Sequence, residues 1–110
     1  MNFDPILLAE DNEDHIALIR RAFERGALCN PLFVVRNGQE AIEYLNGEGK
    51  FKNRGEFPLP SLLLLDLKMP VKTGFDVLQW VRSHPDLRGL RVVVLTSTPM
   101  KNSLEEKPRR

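Results

Sequence analysis

Three carboxylates sit where short apolar runs stop: Ile6-Leu7-Leu8-Ala9 ends at Glu10-Asp11, and Leu62-Leu63-Leu64-Leu65 ends at Asp66. Short unbroken apolar runs read as strands buried on both faces, as in a parallel sheet. Ligands of such sheets bind in the crevice beyond the carboxyl ends of the strands. Three carboxylates gathered there repel one another unless a cation or protons neutralise them. Carboxylate oxygens suit a hard divalent cation, and Mg2+ takes a few of them while keeping water and substrate phosphate as its other ligands. A cation so held also offsets the repulsion when one carboxylate attacks a phosphoryl group, which yields an acyl phosphate. Thr96, at the end of a later apolar run, could donate a hydrogen bond to the new phosphoryl oxygens. The plainer alternative makes Glu10 and Asp11 a solvated loop, with Asp11 or Asn12 capping the next helix and Thr96 an ordinary strand-end residue.

The elements that must position these groups alternate. A strand over Ile6–Ala9 is followed by a helix from about Asp14 to Arg25, with Ile16, Ile19 and Phe23 at helical spacing, Asn12 as cap and Gly26 as stop. Leu32–Val35 reads as a second strand, and Asn37 opens a shorter helix bearing Ala41, Ile42 and Leu45 that stops at Asn46-Gly47. Positions 47–60 hold glycines, prolines and charges without a sustained period, and read as a polar loop. Ser61–Asp66 is the third strand. Thr73 opens a helix with Asp76 in capping-box position and Phe75, Leu78 and Val81 on one face; Pro85 ends it. Arg91–Thr96 is the fourth strand. Such alternation implies βαβ units, right-handed crossovers and a parallel α/β sheet.

The chain has 110 residues, one domain's worth, with 42% hydrophobic and 28% charged residues, ordinary for a globular protein. Its net charge of +1 gives no basic footprint for nucleic acid. One cysteine, Cys29, cannot form an internal disulfide and is compatible with a reducing cytoplasm, the expected location. No apolar stretch approaches a membrane span, and no signal-peptide pattern opens the chain.

Taken together, Leu8-Ala9-Glu10-Asp11-Asn12, Leu64-Leu65-Asp66-Leu67-Lys68-Met69-Pro70, Gly74 and Val94-Leu95-Thr96-Ser97 resemble the receiver domains of two-component response regulators. The likeness runs from about Asp4 to Ser97. The loop before the third strand and Val71-Lys72-Thr73-Gly74 are similar to small stand-alone regulators of phytochrome-type histidine kinases. The resemblance implies a flavodoxin-like fold with strand order 2-1-3-4. It implies Asp66 as phosphoacceptor; Mg2+ held by Glu10, Asp11, Asp66 and the Lys68 backbone carbonyl; Thr96 as switch hydroxyl; and a histidine kinase as partner.

The pattern departs from the family after Thr96. A further helix, strand and helix need roughly 28 residues before loops, and only positions 97–110 follow. The expectation is a receiver over 1–97 and a charged tail over 98–110, where Thr98-Pro99 could open a short helix bearing Met100 and Leu104. Lys107-Pro108 echoes the family's Lys-Pro pair without a preceding apolar strand, so no catalytic lysine is assigned. A missing fifth strand would expose the fourth as an edge and favour a homodimer or another partner covering it. His15 is expected to face solvent, His84 to contact a helix end, Trp80 to be partly buried, and the Lys50-Phe51-Lys52-Arg54 cluster to be solvated. The competing functions are an interaction module with impaired switching and a dehalogenase-type phosphohydrolase. The latter needs a second Asp where Lys68 stands.

Overall fold

The structure, a computed structural model, describes residues 3–95. Thr96, the boundary at 97/98 and the proposed tail helix lie outside the described residues. Four parallel strands, β1 (Ile6–Ala9), β2 (Leu32–Val35), β3 (Leu62–Asp66) and β4 (Arg91–Leu95), form one sheet in the order β2-β1-β3-β4. Between them run α1 (Glu13–Arg25), α2 (Gly38–Asn46) and α3 (Gly74–Arg82). The alternation of strand and helix is that expected from the apolar runs and helical periods, and the strand order is the one the resemblance implies. The register aligns Ile6 with Leu62 and Ala9 with Leu65, so the residues that follow, Glu10 and Asp66, emerge side by side.

Strand alternation sends Leu7 and Ala9 to one face. There they join Val35, Ala41, Tyr44, Leu45, Leu63, Leu65 and Val77 in a single cluster beneath α2 and α3. Leu8 and Ile16 are buried outside that cluster. The caps are those the sequence indicates. Asn12 accepts from the backbone N–H groups of Asp14 and His15, and Asn37 accepts from that of Glu40. At α3 both halves of the Thr73–Asp76 capping box are made.

Four expectations need correction or refinement. α1 does close at Gly26, but Gly26 keeps φ −83° and the left-handed residue is the next one, Ala27, at φ 55°. β3 begins at Leu62; Ser61 precedes it and donates its N–H to the Pro5 carbonyl. Phe75 is exposed, and α3 instead buries Gly74 and Val77, because the helix turns the 74/77/78/81 stripe inward.

The fourth concerns the loop over 47–60, which is more than solvated connection. Phe51, in a 3-10 turn over Gly49–Phe51, is buried and packs with Tyr44 and Phe57 at ring separations of 5.0 and 5.2 Å. The Arg54 guanidinium donates to the carbonyls of Tyr44, Leu45 and Phe57, tying the loop to the end of α2. Burial of the Tyr44 ring, opposed by the charge of Arg54, pushes its phenol up to about 12, and its hydroxyl donates to the Pro58 carbonyl. His84 behaves as expected, its Nδ1 lying 2.6 Å from the Trp80 carbonyl at the end of α3, with Trp80 half-buried.

Candidate metal and phosphoryl site

β1 and β3 end on the same edge of the sheet, and the chain leaves each strand with a carboxylate. Glu10 and Asp66 are buried, at 2% and 0% exposure, while Asp11 is exposed. One carboxylate oxygen from each of Glu10, Asp11 and Asp66 can be chosen so that all three lie within 4.8 Å of one another. The strand register, not side-chain packing, brings them together. Glu10 is held to the sheet by its N–H, which donates to the Val35 carbonyl at 3.0 Å.

Two glycines let the backbone close around Asp66. Gly74 opens α3 directly against β3: a Cβ there would lie 2.5 Å from the Asp66 carbonyl oxygen and 2.7 Å from the Leu67 Cα. At the start of α2, a Cβ on Gly38 would lie 2.0 Å from the Lys72 carbonyl oxygen, which accepts the Gly38 N–H at 2.9 Å. The loop between β3 and α3 is thus clamped at both ends. Within it the Lys68 N–H donates to Asp66 Oδ1 at 3.0 Å. Val71 takes φ 70°, a left-handed conformation that a β-branched residue adopts only under constraint.

Burial raises the pKa of Glu10 above the ordinary carboxylate range. A hydrogen bond with Asp66 and the charge of Asp66 push in the same direction, against the Asn12 N–H and the His15 ring. Such a shift marks carboxylates that share too little positive charge. A donor set of three carboxylates, two of them buried, fits a hard divalent cation. Nearby, Arg36 pairs with Glu13, so the junction of β2 and α2 is tied to the first turn of α1.

Of the residues singled out from sequence, Glu10, Asp11 and Asp66 converge, and Lys68 lies two residues beyond Asp66 with its N–H on that carboxylate. Thr96 falls outside the described residues. His15, expected to face solvent, instead has its Nδ1 3.4 Å from Glu10 Oε2. The signal was available: with Asn12 as cap, position 15 is the third helical residue, and helical side chains lean back toward the N-terminus. Here that direction leads to the strand-end acids.

Known proteins share this fold. The response regulator receiver domain family matches residues 6–107. The response regulator Rcp1 of Synechocystis sp. is 36% identical over 93 residues, 84% of this chain and 61% of its own. The probable methanogenesis regulatory protein FilR2 of Methanothrix harundinacea is 38% identical over 99 residues, 90% of this chain and again 61% of its own. The chain therefore spans about three fifths of the length of these curated relatives. Among solved structures, the bacteriophytochrome response regulator AtBRR superimposes with a TM-score of 0.81 at 41% identity, covering 93% of this chain and 72% of its own. The Mn2+-bound form of Rcp1 gives 0.78 at 34% identity, over 90% of this chain and 70% of its own. No helix among the described residues is long and apolar enough to cross a membrane. By fold, by the acids at the ends of β1 and β3, and by these likenesses, the chain belongs to the response regulator receiver domain family of two-component signalling.

Proposed function

We propose that this chain is a phosphoacceptor: Asp66 takes a phosphoryl group from a phosphohistidine of a histidine kinase, in a Mg2+-dependent reaction. The convergence of Glu10, Asp11 and Asp66 at the ends of neighbouring strands carries the reading. Glu10, Asp11, Asp66 and the Lys68 carbonyl would hold the cation, which when bound supplies positive charge against the phosphoryl oxygens. An Asp66 oxygen forms the new P–O bond as the P–N bond of the phosphohistidine breaks, and the departing imidazole keeps or gains its proton. The clamped β3–α3 loop holds the nucleophile still, and the Lys68 N–H orients Asp66 Oδ1 so that the other oxygen can attack.

Thr96 is assigned the switch hydroxyl that follows the phosphoryl group. Likeness to bacteriophytochrome response regulators supports a phytochrome-type kinase as donor, and the reading takes the exchange to be cytoplasmic. The output runs through protein contacts.

Incubation with Mg2+ and a small acyl-phosphate donor, followed by intact-mass measurement, tests the assignment. One phosphoryl adduct is expected on the wild-type chain and none on Asp66→Asn. An unmodified wild-type chain at saturating donor, folded and with metal bound, would overturn it and favour an assembly module instead.

A further inference from the structure

We propose that His15 is a positioning residue for the cation site: its ring N–H fixes the Glu10 carboxylate in the orientation that presents an oxygen to the metal. The inference rests on the reading of Glu10, Asp11 and Asp66 as cation ligands. Glu10 Oε2 accepts the Asn12 backbone N–H at 3.2 Å and lies 3.4 Å from His15 Nδ1, which donates to it in the tautomer that carries its proton on that nitrogen. With both on one oxygen, the plane of the carboxylate is set, and the hydrogen bond that Glu10 shares with Asp66 is the contact a cation would replace. The Glu10 side chain is 3% exposed, so water competes little for that oxygen, whereas His15 at 33% keeps its outer edge wet.

This contact is built into the helix start. The same Asn12 side chain that caps α1 accepts the His15 backbone N–H at 3.1 Å, which fixes where the imidazole emerges. Carboxylates that bind metals are themselves held by outer hydrogen bonds, and losing such a partner typically weakens binding by ~10–100-fold. At 3.4 Å the His15 contact is long, so a smaller loss, about three- to tenfold, is expected.

The test is Mn2+ binding at pH 8, read from the electron paramagnetic resonance signal of the free ion, with Mg2+ as competitor. His15→Leu and His15→Ala remove the donor, while His15→Asn keeps an N–H close to the position of Nδ1. The expected result is weaker binding in His15→Leu and His15→Ala and near wild-type binding in His15→Asn, with metal-free melting temperatures confirming that each variant folds. Unchanged affinity in the Leu and Ala variants overturns the proposal, as does an equal loss in all three, which would mark a merely structural role. Asp11→Asn separates the two levels of inference. If it binds Mn2+ as the wild type does, or if the wild type binds none, the acidic site itself is misassigned and the role of His15 falls with it.

Discussion

Burying two carboxylates side by side opposes folding, and Glu10 registers that opposition in a raised pKa, caused first by burial and then by Asp66. The native chain therefore holds a proton on Glu10 more tightly than the unfolded chain does. The stability this contributes is fully present below the ordinary carboxylate pKa and is lost as pH rises through the raised native value. Denaturant titrations of the metal-free protein between pH 4 and 8 should show that fall, and Glu10→Gln should flatten it. Added Mg2+ should restore stability at the upper end by binding only the native state. A profile that is the same in wild type and Glu10→Gln would remove Glu10 as its source. At this scale the acids were legible in the sequence because each directly ends an apolar run, and strand ends are where backbone geometry alone places a side chain. His15 was read as solvent-facing, although its place as the third residue of α1 leans its side chain back toward the strand-end acids.

Elements meet here through backbone as much as through side chains. The α2 N-terminus touches the β3–α3 loop at Gly38 and Lys72 with no side chain between them. Gly38→Ala should cost at least ~2 kcal/mol in urea unfolding, because backbone at 2.0 Å has no flexible end that could yield. A loss below half a kcal/mol would show that α2 can lift away from the loop. The caps of all three helices were readable, since Asn12, Asn37 and the Thr73–Asp76 pair act on their own first turns. The loop over 47–60 was misread for the opposite reason. Phe51 and Phe57 find Tyr44, and Arg54 finds the last carbonyls of α2, across a separation that local pattern does not span.

Over the whole molecule, the alternation of elements made the parallel sheet legible, whereas the strand order came from the resemblance alone. Among the described residues β4 pairs with β3 on one side only, and Val93 and Val94 are 46% and 45% exposed. An edge of this kind is a template for association. Sedimentation velocity over a concentration series should show self-association of the 110-residue chain that Val94→Lys reduces; identical sedimentation of the two proteins would eliminate that edge as a contact surface. The four consecutive leucines of β3, apolar toward both sides, would be nearly as content one place along, so hydrophobicity cannot choose their alignment with β1. The choice falls to the polar groups at the ends, Ser61 on Pro5 and Asp66 beside Glu10. Inserting a fifth leucine should leave a folded sheet and a misplaced nucleophile, whereas exchanging leucine for isoleucine within the run should be tolerated: the tract is forgiving of identity and strict about count.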